Sequence, residues 1–158
     1  MPWRILCVCI VAAGSLTVGV ADAGPPSGEQ IARYHDLDGR DFKTLSNAEF
    51  AEYLQLRTAV APVASPSEAV GASGVRWVHQ PFRLGASIFD LGESDCVVFV
   101  ERCLAMALAK DWDSYYRILM RLRGKNGSDK FLDRNFFTLA DWLPNAAFLL
   151  RDVTGEVG

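Results

Sequence analysis

The sequence predicts a domain that combines helices with short strands. The most apolar stretch outside the first twenty residues, 94–109, has the length and the Ala, Leu and Met content of a buried helix. Three shorter segments, 75–83, 131–137 and 148–154, have the apolar and aromatic content of extended chain. A chain of 158 residues is long enough to bury one hydrophobic core, so we expect one main domain.

Residues 1–23 are predicted to form a cleavable signal peptide. Arg4 precedes an apolar run from Ile5 to Val20, and Ala21-Asp22-Ala23 has the A-x-A pattern of a cleavage site. The run is shorter than the roughly 20 residues that a membrane-spanning helix needs. We therefore expect an exported protein, periplasmic or secreted, with no membrane contact after cleavage. The alternative is a retained membrane anchor.

Residues 24–64 are predicted to form an N-terminal helical extension and linker, and residues 65–158 the main domain. Two capping boxes, in which a serine is followed three residues later by a glutamate, predict helix starts at Ser46 and Ser65. Proline follows Ser65 at the first helical position, where its missing N–H has no cost. The second helix is expected to be short and to end at the nearby glycines.

The charge of the chain excludes one large class of partner. Its formal net charge is −3, and no basic stripe of the kind that binds phosphate backbones is present. We therefore expect no nucleic acid partner. The acidic stretch around Asp41 does not fit a calcium loop, because Leu45 falls where the bidentate glutamate belongs. We expect no metal and no cofactor, and the sequence does not indicate the oligomeric state.

Cys96 is the candidate nucleophile because it falls in the first turn of the apolar helix, where Ser94 or Asp95 can act as the cap. The positive end of a helix favours a thiolate, and the N–H of Cys96 itself can help to bind an oxyanion. The alternative is a buried structural cysteine, and that is what we expect for Cys103. Two helical turns separate the two cysteines by about 10 Å, too far for a disulfide.

Two segments resemble one known family. The sequence Gly-Glu-Ser-Asp-Cys-Val-Val-Phe-Val-Glu at 92–101 resembles the D-C-x-x-F-V-E helix of the N-acetylmuramoyl-L-alanine amidase-like family, whose exported bacterial members belong to the NlpC-type papain-like cysteine peptidases and amidases. Residues 134–142 resemble its R-N-H-[FY]-T-x-A-D-W block, which Asn145 and Asp152-Val153-Thr154 continue. The resemblance covers about residues 66–158.

This resemblance implies an α+β papain-like fold, in which a buried nucleophile helix packs on a small antiparallel sheet. It implies that Cys96 attacks amide bonds of peptidoglycan peptides. Trp77 lies where related enzymes often have a tyrosine that lines the oxyanion hole. Asp141 and Trp142 fall in the shared block and are candidates for binding substrate, although a helix cap and a core tryptophan explain them equally simply.

The chain departs from the family pattern at its expected general base. Phe136 stands where the block usually has histidine, and no histidine follows Cys96. Family members continue into further strands, one of which carries a His-Val-Gly type segment, whereas this sequence ends at Gly158, so we expect a fold truncated at its C-terminus. His79 is the remaining candidate for the base, and His35 is a weaker one.

Three functions remain open from the sequence. The first is an active cysteine amidase or peptidase of the cell envelope, and the second is a truncated relative that has the nucleophile but no base. The third is an envelope binding module that presents Trp77, Phe82 and Trp142. The Asp-Cys helix start favours the first two, and the phenylalanine at position 136 favours impaired activity.

Overall fold

The computed structural model describes residues 8–10, 24–62, 65–128 and 130–152. Apart from Val8–Ile10, the predicted signal peptide lies outside the described residues. The chain divides into two compact units: a larger unit, Val20–Met120, and a smaller unit made of Met1–Gly19 and Arg121–Gly158.

The larger unit consists of helices and the loops that join them. Helix α1 packs on α2, and α3 packs on α4. The helices are α1 (Gly28–Gly39), α2 (Asn47–Val60), α3 (Pro66–Trp77), α4 (Cys96–Leu108) and most of α5 (Trp112–Arg123), with a 3₁₀ turn at Phe42–Thr44.

Side-chain caps start these helices where the sequence predicts them. The Ser46 hydroxyl accepts a hydrogen bond from the Glu49 N–H at 3.2 Å, while the Ser46 N–H donates to the Glu49 carboxylate at 2.8 Å. Ser65 caps α3 by accepting from the N–H of Glu68 at 3.3 Å, with proline at the next position. Each cap satisfies an N–H that has no acceptor within the helix.

Helix α3 is longer than the sequence predicts. It passes through Gly71 and Gly74 and ends at Trp77, so the predicted end at the glycines and the extended conformation of residues 75–77 are both wrong. The cause is tertiary: Ala69, Ser73 and Trp77 recur every four residues and are all buried on one face. Burial of this face outweighs the low helix propensity of glycine.

An aromatic cluster forms the core of the larger unit. Phe42 meets Trp77 edge to face with ring centroids 5.0 Å apart, and Phe50 meets Trp77 at 5.7 Å and Tyr115 at 5.2 Å in the same manner. Such pairs contribute about 0.5–1.5 kcal/mol each beyond the burial of their area. The cluster therefore fixes the end of α3 against α2 and α5.

The smaller unit contains the described strands. Strand β1 (Val8–Ile10) pairs antiparallel with β2 (Leu150–Asp152), with Cys9 opposite Arg151. The predicted strand at 148–154 is thus confirmed within Leu150–Asp152. Between α5 and β2 lie 3₁₀ turns at Lys125–Gly127, Phe131–Asp133 and Ala146–Phe148, a π-helix at Thr138–Trp142 and the short helix α6 (Leu143–Asn145).

The strand predicted at residues 131–137 is absent from this described segment. Asn135 fixes it as a loop instead, because its N–H donates to the Arg123 carbonyl at 2.8 Å and its side-chain amide donates to the Leu122 carbonyl at 2.9 Å. These bonds satisfy carbonyls at the end of α5. A single bridge between Gly124 and Arg134 takes the place of a ladder.

The predicted α+β papain-like fold, with its nucleophile helix packed on a small antiparallel sheet, is wrong. The described residues are mostly helical, their strands form one two-stranded pair in the smaller unit, and α4 packs on helix α3. Two of the three predicted extended segments are wrong for the reasons given above. Residues 75–77 continue the buried face of helix α3, and Asn135 bonds the segment 131–137 to the end of helix α5.

Two glycine substitutions should change stability in opposite directions. Gly71→Ala fills open space on an exposed helical position and should stabilise the chain by about 0.5–1 kcal/mol. Gly124→Ala places a Cβ 2.0 Å from the Ser128 carbonyl oxygen and should destabilise it by about 1–3 kcal/mol. Urea unfolding measures both, and equal effects of the two variants would contradict the packing described.

Acid should weaken the start of α2. The Ser46 N–H and the Arg40 guanidinium bond the Glu49 carboxylate and lower its pKa from 4.5 to about 2. A lowered folded pKa contributes stability that is present above pH 4.5 and is lost as the pH falls towards 2. Wild type should therefore lose more stability than Glu49→Gln between pH 6 and about 2. Thermal unfolding at both pH values tests this, with the exposed Glu29→Gln as control; identical losses in wild type and Glu49→Gln would contradict it.

Candidate active site

Cys96 is the first residue of α4, and its side chain is exposed. Asp95 precedes it as the N-cap: one carboxylate oxygen accepts from the Val98 N–H at 2.8 Å, and the other accepts from the Gly85 N–H at 3.1 Å. The predicted cap is therefore confirmed at Asp95. Its carboxylate also ties the preceding loop to the helix start, which fixes the backbone of Cys96.

Two backbone donors remain available beside the sulfur. The first N–H groups of a helix have no acceptor within it. Asp95 takes up the N–H of Val98 through its carboxylate and that of Phe99 through its carbonyl, at 2.8 and 2.9 Å. Within the described part of the chain, the N–H groups of Cys96 and Val97 have no acceptor. They are the donors that an oxyanion formed next to Cys96 needs.

Cys96 opens onto a cavity of about 180 Å³. The described residues that line it are Trp77, Val78, Gln80, Phe82, Ser94, Asp95, Cys96 and Phe99. Its walls combine aromatic side chains with the polar residues Gln80, Ser94 and Asp95, and the exposed ring of Phe82 forms part of them. A cavity that joins apolar walls to a few fixed polar groups can serve as a small-molecule or peptide subsite.

The loop that walls this cavity is held by Arg102, a fully buried residue of α4. Its guanidinium donates to the carbonyls of Ser87 at 2.9 Å and Glu93 at 3.0 Å, to the carbonyl of Asp90, and to the side-chain carbonyl of Gln80 at 3.2 Å. Hydrogen bonds from a charged donor are stronger than neutral ones. Arg102 therefore fixes the loop relative to the helix that carries Cys96.

Trp77 contributes to both the core and the cavity wall. Its side chain is 1% exposed and packs in the aromatic cluster, while its indole N–H is buried without an acceptor in the described chain. Gly74, one turn earlier, brings α3 close to α4, because a Cβ there would lie 4.0 Å from the Cys103 sulfur. A role for Trp77 in the oxyanion hole stays a prediction.

His79, the predicted base, lies exposed in the turn that follows α3. Its neighbours Val78 and Gln80 line the cavity, whereas His79 is not among the described lining residues. The other histidine, His35, is exposed on α1 and meets the Tyr34 ring edge to face at 5.4 Å. The role of His79 as a base therefore stays a prediction.

Asp141 and Trp142, the other predicted substrate-binding residues, belong to the smaller unit. The Asp141 carboxylate accepts from the Phe137 N–H at 3.3 Å, and Trp142 is buried. Phe136, at the position of the family histidine, is exposed and meets the Phe131 ring edge to face at 5.3 Å. These contacts are structural, and binding of substrate by Asp141 and Trp142 stays a prediction.

Cys96 and Cys103 are free, as the sequence predicts. Cys103 is buried among the core residues of α4, and burial raises the pKa of its thiol from 9.0 to about 11. A neutral, enclosed thiol is a poor nucleophile. Cys96 and Cys103 thus have different environments on one helix.

The sequence analysis did not identify Arg102 and Gln80. Both shape the cavity, and neither has a part in the predicted attack by Cys96. The signal available was a charged residue within the most apolar helix of the main domain, because a buried charge needs several hydrogen-bond partners. The acceptors of Arg102 lie 9–22 residues away, so their identity could not be read from the sequence.

The family model described as AmiA-like, N-acetylmuramoyl-L-alanine amidase-like, matches residues 78–158, just over half of the chain. The chain belongs to the N-acetylmuramoyl-L-alanine amidase-like family. The matched segment contains Cys96 and its cavity loop, Phe136, and the motif residues Asp141 and Trp142, while Trp77 lies just before it.

A solved structure is similar to this AmiA-like chain in fold. It is the crystal structure of protein LPG0564 from Legionella pneumophila str. Philadelphia 1, assigned to the family model DUF1460. The sequences are 20% identical, the TM-score is 0.56, and the match covers 63% of this chain. This chain spans 38% of the length of that structure, so the likeness supports a shared fold alone.

No curated protein matches the chain at a significant level. In the described parts of this AmiA-like chain, no helix has both the length and the apolar content that crossing a membrane requires.

Alkylation should distinguish Cys96 from Cys103 in this AmiA-like chain. Iodoacetamide at neutral pH should modify Cys96 in the folded protein and leave Cys103 unmodified, because Cys103 is buried with a raised thiol pKa. Mass spectrometry of proteolytic fragments measures each site, and Cys96→Ser should abolish the fast reaction. Equal rates at both cysteines in the folded protein would contradict this geometry.

Proposed function

We propose that this chain is an exported cysteine amidase or peptidase that acts on amide bonds of peptidoglycan peptides, with Cys96 as its nucleophile. One observation carries the proposal: an exposed cysteine at the first position of α4 opens onto a cavity, beside two backbone N–H groups for which the described residues offer no acceptor. Membership of the amidase-like family supports the reaction class and the substrate. The proposed relation to NlpC-type enzymes rests on this nucleophile and not on fold.

The proposed reaction is acyl transfer through sulfur. The Cys96 thiolate attacks the amide carbonyl carbon, a C–S bond forms, and the carbonyl oxygen becomes an oxyanion that accepts from the N–H groups of Cys96 and Val97. The C–N bond then breaks, and the amine leaves after taking up the proton that the thiol gave to the base. Water attacks the thioester, releases the carboxylic acid and restores the thiol.

The cavity at Cys96 provides the proposed binding surface for the side chain next to the scissile amide. Trp77 and Phe82 present aromatic groups to it, and Phe99 adds a third ring on α4. Aromatic walls suit the short apolar side chains of a peptide, since they bury them without requiring a polar partner. A role for Asp141 and Trp142 in binding the peptide is proposed from the second family motif.

His79 is the proposed base of the active form. It follows α3 by two residues in a turn that starts beside Trp77, and a side chain in an exposed turn has the rotamer freedom to approach the cavity. A base must come within about 2.6–3.2 Å of the proton that it accepts.

A second candidate is a relative that binds peptidoglycan peptides without cleaving them. The favouring observation is that His79 is outside the described cavity lining, while Phe136 occupies the position of the family histidine. The cavity and the available N–H groups would then bind a peptide carbonyl in its uncleaved form.

Export of the chain is proposed from the predicted signal peptide and from the peptidoglycan substrate of the proposal. Cleavage after Ala23 removes Val8–Ile10, the strand that pairs with Leu150–Asp152 in the full chain. N-terminal sequencing of the protein recovered from an envelope fraction tests it. A first residue of Gly24 supports export, and an intact Met1 in the cytoplasmic fraction contradicts it.

The test of activity is incubation of the purified chain with peptidoglycan fragments, followed by mass spectrometry of the products. We expect release of peptides with new amine and carboxylate ends. Cys96→Ala should abolish release, and His79→Gln should lower its rate by at least 100-fold, in line with the contribution of a general base. The matched control, His35→Gln, removes the other histidine and should have wild-type activity.

Two results separate the candidates. Binding of the fragments by wild type and Cys96→Ala without any hydrolysis contradicts the enzyme and supports the binding protein. Hydrolysis that survives Cys96→Ala contradicts the proposed nucleophile, and hydrolysis that survives His79→Gln contradicts the proposed base.

A further inference from the structure

A second and larger cavity, of about 470 Å³, lies in the larger unit. It shares no described lining residue with the cavity at Cys96, and among its lining residues only Met106 falls within the family-matched segment. Its walls come from α1, α2, α3 and α4. The polar side chains that line it most prominently are Tyr34, Asp38, Tyr53, Arg57 and Arg76.

Arg57 is a buried cation in this wall, with 7% of its surface exposed. Its guanidinium donates to the carbonyl of Ala109 at 2.9 Å and to that of Met106, and it makes no ion pair among the described residues. Burial lowers its pKa, which reflects the cost of placing the charge there. A buried charge without a counter-charge is costly and therefore uncommon.

Arg76 is a second cation in the same wall; it interacts electrostatically with Asp41 but forms no ion pair with a carboxylate among the described residues. Its guanidinium lies 4.4 Å from the Phe42 ring centroid and donates to the Arg40 carbonyl at 2.6 Å. Its Nε is a buried donor for which the described chain offers no acceptor. Stacking on Phe42 fixes the plane of the guanidinium, which prepares it for a planar partner.

The remaining polar groups of the wall determine which ligand charge the cavity favours. Asp38 accepts from the Tyr53 hydroxyl at 3.1 Å and pairs with neither arginine among the described residues. Burial raises the pKa of Tyr34 and Tyr53, so both phenols stay neutral. Two cations and one carboxylate leave one net positive charge in the wall, which matches a monoanion better than a phosphate dianion.

We propose that this cavity binds a small organic monocarboxylate, whose carboxylate pairs with Arg57 and Arg76 and whose body lies on the apolar walls. Guanidinium groups bind carboxylates in a planar, bidentate geometry. The apolar walls are formed by Ala61, Pro62, Ala69, Ala72 and Met106. The Asp38 carboxylate and the tyrosine hydroxyls suit an amide or hydroxyl group of the ligand, as in an N-acylated amino acid or a hydroxy acid.

The proposal does not depend on cleavage at Cys96, and its test is independent of activity. Isothermal titration calorimetry of the full chain with N-acetylalanine measures binding, with N-acetylalanine amide as the neutral counterpart and inorganic phosphate as the alternative anion. We expect saturable binding of the acid and at least tenfold weaker binding of both the amide and phosphate. The Met106 methyl signal in NMR spectra should shift on binding, while the rate of Cys96 alkylation should stay unchanged.

Arginine variants test the site directly. Arg76→Gln should weaken binding of the acid at least tenfold, and Arg76→Lys, which keeps the charge but not the planar fork, should weaken it less. The matched control, Arg117→Gln, removes an exposed arginine of α5 outside the cavity and should bind as wild type does. If Arg76→Gln fails to fold, Arg76→Lys and the NMR shift of Met106 in wild type carry the test.

Several results would overturn the proposal. They are equal affinity for the acid and its amide, tighter binding of phosphate than of the acid, and unchanged affinity in both Arg76 variants. Absence of saturable binding of N-acetylalanine and of propionate at millimolar concentration would equally overturn it.

Discussion

The site at Cys96 depends on one buried guanidinium. Arg102 lies within the apolar helix α4 and donates to carbonyls of Ser87, Asp90 and Glu93, so that the irregular loop between the bridged residues Phe82 and Ser94 becomes a fixed wall. An irregular loop leaves backbone carbonyls without partners, and a single cation that bonds several of them satisfies this need. The helix that presents Cys96 therefore also organises the surface that faces it.

Packing in the larger unit makes this arrangement rigid. Trp77 joins the aromatic cluster at its core and lines the Cys96 cavity, and the guanidinium carbon of Arg102 lies over its ring, 5.4 Å from the ring centroid. A close-packed core moves little, since its side chains have few alternative rotamers. The buried face of α3 ends at Trp77, so the hydrophobic core of the larger unit is continuous with the wall of the cavity.

Short-range sequence patterns predicted the helix starts correctly. They failed where contacts between residues far apart in the sequence determine the backbone conformation. Ser46 and Ser65 cap as expected because a capping bond joins residues three apart. The extended conformation of 75–77 and the strand at 131–137 were wrong, because burial of the α3 face and bonds from Asn135 to the end of α5 outweigh local preference. The small antiparallel sheet beside the nucleophile helix, which the family resemblance implied, was wrong as well, because those predicted strands did not form.

The sequence by itself determined the apolar helix α4, a cap at Ser94 or Asp95, the position of Cys96 in the first turn, the buried Cys103, and the family. Each follows from residues within a turn or two of one another or from a contiguous motif. Only the tertiary structure decided which groups surround Cys96 and that Arg57 and Arg76 share a cavity. The carbonyls that Arg57 bonds lie 49 and 52 residues away, and no local pattern encodes a partner at that distance.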